Sequence, residues 1–374
     1  MYHNNEETSL GGMFMSILTT MQFIVNIIIM IVLLGIVIMS LIWLFKDKGQ
    51  DQHSVLRNFP VLGRIRYISE KIGPELRQYF FADDNEGKPF SRNDYKHIVL
   101  AGKYNSRMTS YGTQREYKDG FYIQNTMFPL QASELHVDNS DLISTFLYQI
   151  ENERLFSRDE HRKRSQIDPF FLSDEHAVVL GPELKHPYKV KRLVGQSGMS
   201  YGALGRNAIT ALSKGLSKAG TWMNTGEGGL SDYHLKGDGD IIFQIGPGLF
   251  GVRDKEGHFN KDMFLQLADR ENIRAFELKL AQGAKTRGGH MEGNKVTEEI
   301  AKIRNVKPHE TINSPNRFDF IKNPEDLLKF VDQIKNLGQK PVGFKIVVSK
   351  VDEIEKLVKT SFSISSTLLT TILN

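Results

Sequence analysis

Two glycine-rich segments of this chain combine residue types that could bind a small polar ligand. The first spans Asn224–Gly229 and reads NTGEGG, and the second spans Ala281–Lys285, reads AQGAK and is followed by Gly288 and Gly289. Each follows an apolar, β-prone run, so each is predicted to leave the C-terminal end of a strand. Glycines there let backbone N–H groups approach a planar or anionic ligand, while a carboxylate, an amide and an ammonium orient a substrate. The layout predicts a cofactor and substrate site.

The elements that would position these loops are apolar runs that alternate with helical patterns. A helix is predicted over Gly205–Ala219 and another over Val351–Lys359. Alternating strands and helices predict a parallel sheet, and glycine-rich loops after the strands favour a (β/α)₈, or TIM, barrel over an open sheet. The runs predicted as strands are Val190–Val194, Thr221–Met223, Ile241–Ile245, Ala275–Leu280 and Val342–Val348.

A third segment, Ser197–Gly202, reads SGMSYG and completes a resemblance to a known family. With NTGEGG and AQGAK it resembles the FMN-binding synthase domain of the glutamate synthase family, from about Tyr188 to about Lys359. The resemblance implies an oxidoreductase acting on CH–NH₂ groups, in which reduced FMN transfers a hydride to the imine of 2-oxoglutarate and ammonia, giving glutamate. The residues that it assigns to the flavin are Ser197, Gly198, Met199, Ser200, Asn224, Thr225, Gly226 and Lys345.

The resemblance also implies roles for individual side chains. Lys345 matches a lysine near the flavin pyrimidine edge, where a cation stabilises the negative charge that builds up on reduction. Glu227 would be the acid–base group near the imine, and Gln282 would orient the substrate. Lys285 and Arg304 are the candidate cations for the two substrate carboxylates. Arg304 lies on a predicted helix and resembles the family's arginine in shape only, so an ordinary helix-surface arginine remains the alternative.

The N-terminal part of the chain is predicted to cross a membrane. Ile24–Phe45 contains no charged residue, and about 20 apolar residues span a bilayer as a helix. No Lys or Arg precedes the run, which argues against a cleaved signal peptide, and a buried core helix is the other alternative. Trp43 fits an interfacial anchor, and basic residues such as Lys46 and Arg57 follow it. We therefore predict a single-pass protein of the cell membrane with its C-terminal domain in the cytoplasm.

The predicted domain organisation follows from these segments. Residues 1–23 form an N-terminal tail, 24–45 the transmembrane helix, 46–187 a linker and α+β cap, 188–360 the FMN-binding barrel, and 361–374 an aberrant tail. Within the cap, helical spacing predicts a helix over Tyr67–Phe81, with Gly73 and Pro74 opening its second half. The charge cluster Arg158–Arg164 is interpreted as a solvated helix face, and a membrane-surface role is the alternative.

Composition excludes several kinds of site. The chain contains no Cys, so it carries no disulfide, cysteine nucleophile or cysteine-ligated iron–sulfur cluster. Ammonia would then come from solution or a partner, and the electron donor stays unassigned. The net charge of +4 gives no reason to expect nucleic acid. No metal site is predicted, because Asp232, His234, Asp238 and Asp240 are interspersed with glycines typical of turns. Gly246–Gly251 matches G-x-G-x-x-G, but a turn pattern follows it instead of the helix that a dinucleotide site requires.

The predicted barrel is incomplete. We count about five strands from Val190 onward, whereas a (β/α)₈ barrel has eight and typically about 250 residues. Ser361–Asn374 has no charge, no glycine and no helical periodicity, which is typical of truncated or out-of-frame coding sequence. Two other functions therefore remain open. The chain could be a catalytically inactive, membrane-tethered fragment or binding module, or its barrel could serve another FMN or phosphate-ligand chemistry, as in inosine-monophosphate dehydrogenase-like barrels, whose catalytic cysteine is missing here.

Overall fold

A computed structural model describes residues 5–50, 52–87, 90–105, 126–134, 136–155, 157–192, 194–280, 288–347 and 350–364. The chain divides into two compact units, Met1–Tyr122 and Ile123–Asn374. The described part of the first unit is helical, and that of the second is mixed α/β.

The first unit consists of a long helix followed by shorter ones: α1 Asn5–Lys48, α2 Ser54–Asn58, α3 Leu62–Leu76 and α4 Arg92–Tyr104. The span Leu18–Lys48 of α1 is long enough to cross a bilayer and contains an 18-residue stretch with a mean hydropathy of 3.2. The helix predicted over Tyr67–Phe81 is present but begins earlier, at Leu62, and continues through Pro74 into a π-helical turn, Arg77–Phe81. The prediction that Gly73 and Pro74 open a second half is therefore wrong, since the helix is not interrupted there.

The second unit begins with antiparallel strand pairs: β1 Val137–Asp138 with β4 Phe171–Leu172, β2 Ile143–Glu153 with β3 Arg158–Ile167, and β5 Val178–Leu180 with β6 Tyr188–Val190. The charge cluster interpreted as a helix face lies on β3, so that interpretation is wrong. Cross-strand contacts decide the outcome, because the Arg162 guanidinium lies 3.7 Å from the Phe146 ring centroid and Arg164 Nε donates to Ser144 Oγ at 3.0 Å.

A parallel sheet forms the centre of the second unit. Its strands are β7 Met223–Asn224, β8 Ile241–Ile245, β9 Ile273–Lys279 and β12 Val342–Lys345, in the spatial order β7-β8-β9-β12. The remaining elements are α5 Arg206–Lys218, α6 Lys261–Ala268, β10 His290–Met291, α7 Glu298–Arg304, β11 Ile312–Asn313, α8 Pro324–Gly338 and α9 Val351–Ile364. An apolar core that includes Phe243, Phe264 and Phe330 packs α6 and α8 against the sheet. Every residue of β8 is buried, as expected for a parallel strand covered on both faces.

The structure confirms the parallel sheet and changes some of its predicted strands. The bounds of β8 agree with the prediction, whereas Val190–Val194 is not a strand of the parallel sheet. β6 ends at Val190 and pairs antiparallel with β5, and the chain joins the parallel sheet only at a bridge between Gln196 and Met223. The described residues contain a four-stranded parallel sheet and no closed barrel, so the (β/α)₈ barrel stays a prediction.

Two further predictions concern turns and the C-terminal helix. Gly246–Gly251 forms turns, in which the N–H of Leu249 donates to the carbonyl of Gly246 at 2.8 Å, and the next helix, α6, begins only at Lys261. The segment therefore does not open a helix, in agreement with the turn that the sequence predicts. α9 continues past Lys359 to Ile364, into the predicted aberrant tail, and residues 365–374 lie outside the described part.

Candidate functional site

Polar side chains line one face of the parallel sheet near the carboxyl ends of its strands. Gln244 pairs with Glu277 across β8 and β9, and Lys279 pairs with Lys345 across β9 and β12. Successive side chains of a strand point to opposite faces, and paired residues point to the same face. The apolar face packs against helices, so the opposite face presents amide, carboxylate and ammonium groups.

Two predicted loops pack tightly against each other at this end of the sheet. The N–H of Met199 donates to the carbonyl of Asn224 at 3.1 Å, and the N–H of Asn224 donates to the carbonyl of Gln196 at 2.9 Å. Gly226 has φ of +66°, and a Cβ there would lie 2.8 Å from the backbone nitrogen of Ser200. Only glycine satisfies both constraints, which explains its place between Thr225 and Glu227.

Glu277 is a buried carboxylate that the sequence did not indicate as part of the site. Its side chain is 3% exposed and accepts hydrogen bonds from Asn224 Nδ2 at 2.9 Å and from Gln244 Nε2. Asn224 in turn accepts the N–H of Gly226 at 2.9 Å. The network therefore ties the Asn224 loop to β8 and β9. A glutamate flanked by Phe276 and Leu278 inside an apolar strand was the available signal, because an unpaired carboxylate is rarely buried.

Lys345 is brought to the first loop and to the acidic groups of the site. Its Nζ donates to Ser197 Oγ at 3.2 Å. Burial lowers the pKa of the Lys345 ammonium, and the nearby Glu277 and Glu227 carboxylates oppose that shift. Lys345 therefore lies beside the Ser197 loop, and its predicted contact with a cofactor stays a prediction.

Glu227 lies beside a second lysine, Lys279, which the sequence did not single out. Lys279 Nζ lies 3.6 Å from Glu227 Oε1. Glu227 also packs over Gly246, where a Cβ would lie 2.5 Å from Glu227 Oε2. The signal for Lys279 was its position at the end of a strand, just before the AQGAK segment. Glu227 is thus a carboxylate held between a cation and a glycine, at the same edge of the sheet as Lys345.

Arg304 reaches the site from α7 and is buried, with 7% of its surface exposed. Its Nη2 donates to the carbonyl of Tyr201 at 3.3 Å, and its guanidinium lies 5.1 Å from the Phe250 ring centroid. Burial lowers the pKa of Arg304, and Glu227 opposes that shift. Its Nε has no hydrogen-bond partner among the described residues. The interpretation of Arg304 as a helix-surface arginine is therefore wrong, because the residue is an interior cation close to Glu227.

His234 is a buried residue that contacts the Ser197 loop. The N–H of Ser231 donates to Nδ1 at 3.2 Å, so in the neutral ring Nε2 carries the proton and donates to the carbonyl of Met199 at 2.9 Å. Burial lowers the pKa of His234. The ring is engaged on both nitrogens, and the described part of the chain contains no group of three His, Asp or Glu residues that could hold a metal.

A cavity of about 370 Å³ lies away from this site. It is lined by charged residues that include Asp269, Arg274 and Lys340, near the amino ends of β9 and β12. Lys340 is 6% exposed, and its Nζ donates to the carbonyl of Arg270 at 2.7 Å. Residues at the amino ends of parallel strands more often stabilise a fold than carry chemistry.

The structure brings together most of the predicted site residues. Gln282 and Lys285 lie in residues 281–287, outside the described part, so their positions stay predictions. The predicted residues on the loops and strands at the carboxyl edge of the sheet, or reaching it from α7, are Ser197, Gly198, Met199, Ser200, Asn224, Thr225, Gly226, Glu227, Arg304 and Lys345.

Comparison with known proteins identifies the family. A family model described as "Conserved region in glutamate synthase" matches residues 133–364, which is more than half of the chain. The chain belongs to the glutamate synthase family. The match covers the antiparallel strand pairs, the parallel sheet and α9, so the glutamate synthase region extends well before the start that the motifs indicated, near Tyr188.

The relatives of this glutamate synthase family member differ widely in sequence identity to it. "Glutamate synthase large subunit-like protein YerD" of Bacillus subtilis is 53% identical over 345 residues, covering 91% of this chain and 65% of the relative. "Archaeal-type glutamate synthase [NADPH]" of Thermotoga maritima is 31% identical over 243 residues, covering 64% and 43%. "Ferredoxin-dependent glutamate synthase, chloroplastic" of Spinacia oleracea is 30% identical over 251 residues, covering 58% and 14%. The chain thus spans less than two thirds of these relatives' lengths.

Proposed function

We propose that this chain binds FMN and takes part in the reductive amination of 2-oxoglutarate to glutamate. The observation that carries the proposal is the convergence of the Ser197 loop, the Asn224 loop and Lys345 at the carboxyl edge of a parallel sheet, in a member of the glutamate synthase family. Ligands of α/β proteins bind at this edge. The proposed (β/α)₈ barrel would place these loops around one mouth.

The residues present fit FMN. Glycines at positions 198 and 226 keep side chains out of the contact between the two loops, so backbone groups line it. Lys345 supplies a half-buried ammonium that would sit at the electron-rich edge of the flavin. Ser197–Ser200, Asn224–Gly226 and Lys345 would hold the cofactor. When bound, FMN would supply the hydride that reduces the imine formed from 2-oxoglutarate and ammonia.

The substrate would be held by cations beside an acid–base group. Arg304 is a buried guanidinium with an Nε that has no hydrogen-bond partner among the described residues, and it would pair with one substrate carboxylate. Lys285 is the proposed partner of the other. Glu227, held 3.6 Å from Lys279, would transfer a proton at the imine nitrogen, and Gln282 would orient the substrate.

The sources of ammonia and electrons are separate from this site. A cysteine nucleophile and a cysteine-ligated cluster are absent from the chain, so ammonia would come from solution or from a partner. The names of two relatives specify NADPH and ferredoxin, which are different electron donors. We therefore assign the chain the amination half of the reaction and no particular electron donor.

We also propose that α1 anchors the protein in the cell membrane. Most of its apolar side chains between Leu18 and Phe45 are exposed, and an 18-residue stretch has a mean hydropathy of 3.2. Burying such a surface in water-free acyl chains is favourable, and a helix satisfies its own backbone hydrogen bonds there. The basic residues after α1 would keep the second unit in the cytoplasm.

The visible spectrum of the detergent-purified full chain tests FMN binding. We expect a flavin band at about 450 nm. Lys345→Met should weaken FMN binding by about 10-fold or more, because a charge-assisted contact is lost. Lys340→Met is the matched control, since Lys340 is also a buried lysine but lies at the opposite ends of the strands, and it should keep its flavin. Absence of flavin from the wild type, or equal loss in both variants, would contradict the proposal and favour a membrane-tethered binding module.

Glutamate formation from 2-oxoglutarate and ammonia, with chemically reduced flavin, tests the reaction itself. Arg304→Lys keeps the charge but loses the planar guanidinium, so we expect the KM for 2-oxoglutarate to rise by about 10-fold while the flavin stays bound. Flavin retention without any glutamate formation would separate FMN binding from the proposed amination.

A further inference from the structure

Among the residues that the structure describes, no other element covers the apolar face of α3. Leu62, Ile65, Ile68, Ile72 and Leu76 recur every three or four residues along α3, so they lie on one side of the helix. Their exposure ranges from 66% at Leu62 to 42% at Leu76. The large exposed side chains of the π-helical turn, Tyr79, Phe80 and Phe81, follow directly. Such a continuous apolar stripe is typical of a surface that binds something.

The rest of α3 is charged. Arg66 and Glu70 form an ion pair with Nε and Oε1 2.8 Å apart, and Lys71 and Arg77 are also exposed. A helix of 15 residues with one apolar face and one face of mixed charge has the amphipathic pattern of helices that lie in the plane of a membrane interface.

Contacts at the end of α1 determine the depth at which α3 begins. Asp47 is 1% exposed and accepts from Arg64 Nε at 2.8 Å and from Arg64 Nη2. The same guanidinium lies 5.0 Å from the Trp43 ring centroid. Tryptophan near the end of a membrane-spanning helix sits at the level of the headgroups. Because Arg64 belongs to the first turn of α3, this pair holds that turn at the same level.

We propose that α3 and the turn Arg77–Phe81 lie in the headgroup layer of the membrane, with the apolar stripe facing the acyl chains. The inference rests on the proposed spanning role of α1 and not on the FMN chemistry. Lipid is the occupant that fits, since the stripe begins in the turn of α3 that Arg64 holds beside Trp43 and Asp47 at the end of α1, and charged side chains border it.

Single-cysteine variants of the full chain provide the test, because the chain has no native Cys. Each variant is labelled with an environment-sensitive fluorophore and reconstituted in vesicles of phosphatidylcholine and phosphatidylglycerol, with a quencher attached near the headgroup end of some acyl chains. Ile68→Cys and Ile72→Cys probe the stripe, and Glu70→Cys and Lys71→Cys are matched controls on the other side of the same turns. We expect lipid quenching to be about 3-fold or more stronger at 68 and 72 than at 70 and 71.

Ile31→Cys, in the middle of the apolar run, separates this inference from the one on which it rests. Quenching at 31 by a deep acyl-chain quencher, together with equal lipid quenching at all four α3 positions, would overturn the interfacial helix alone. Positions 68 and 72 shielded from an aqueous quencher but not quenched by lipid would also overturn it, because protein would then cover the stripe. An unquenched probe at position 31 would refute both the span and the interfacial helix.

Discussion

At the scale of single residues, His234 shows how the site depends on a buried group that takes no proposed part in the chemistry. Its Nε2 donates to the carbonyl of Met199, and Ser231 donates to its Nδ1. Burial lowers the pKa of His234 below its ordinary value of about 6.5. As pH falls through 6.5, the unfolded chain therefore binds a proton at this residue that the folded chain does not. The contribution of His234 to stability is present above that pH and is lost toward acid.

His234→Gln tests this linkage. We expect the variant to lose about 1–3 kcal/mol of unfolding free energy at pH 7.5, because a buried hydrogen-bonded ring is replaced. Its stability should then fall less steeply than that of the wild type between about pH 7 and pH 5.5, since the titrating group is gone. Denaturant unfolding at several pH values measures both effects. An unchanged slope in His234→Gln would refute the argument.

At the scale of elements, the contact between the Ser197 and Asn224 loops determines whether the site can form. The two loops are joined by backbone hydrogen bonds, and Gly226 lies where a side chain would meet Ser200. α5 follows the first loop and contains Gly215, where a Cβ would meet no atom within 4 Å. The same glycine-to-alanine change should therefore have opposite effects on the free energy of unfolding at positions 226 and 215.

Gly226→Ala and Gly215→Ala form a matched pair. The first should destabilise the protein by about 1–3 kcal/mol, because alanine must adopt a positive φ and approach the Ser200 backbone. The second should stabilise it by about 0.5–1 kcal/mol, since alanine favours the helix interior. Denaturant unfolding gives both values, and flavin content should fall only in Gly226→Ala. A neutral Gly226→Ala variant would show that the loops do not pack as described.

At the scale of the whole molecule, the long apolar helix and the α/β unit predict a defined orientation in the membrane. Basic residues follow α1, so the second unit should lie on the cytoplasmic side. Glu175 is an exposed residue of that unit, and Glu7 precedes the apolar run. The two positions should therefore lie on opposite sides of the bilayer.

Reaction with a membrane-impermeant maleimide measures this topology in the Cys-free chain. Glu175→Cys should be labelled in inside-out vesicles and protected in right-side-out vesicles, and Glu7→Cys should give the reverse pattern. Labelling of both in the same preparation before detergent is added would rule out a single span. Release of the chain from membranes by alkaline carbonate would show that it is not anchored.

The sequence predicted the parts of this protein that depend on local pattern. Glycine-rich segments after apolar runs identified Ser197–Gly202 and Asn224–Gly229 as loops, because backbone freedom and polarity are visible in residue types. The same local reasoning located β8 and α5 and the apolar part of α1. It was wrong for Arg158–Arg164 and for Val190–Val194, where antiparallel pairing with the preceding strand decides the conformation.

Only the tertiary structure decided which charged residues meet. Glu277 accepts hydrogen bonds from Asn224 and Gln244, which the register of neighbouring strands brings beside it. Lys279 forms an ion pair with Glu227, which belongs to another part of the chain. For Arg304 the sequence left a helix-surface arginine as the alternative to a substrate-binding cation, and the packing of α7 excludes that alternative because it buries the side chain. Contacts between residues far apart in sequence depend on strand order and register, which local periodicity does not encode. The sequence by itself determined which residue types stand in the loops. The sheet determined which of these side chains lie together, because strand register sets which side chains share a face.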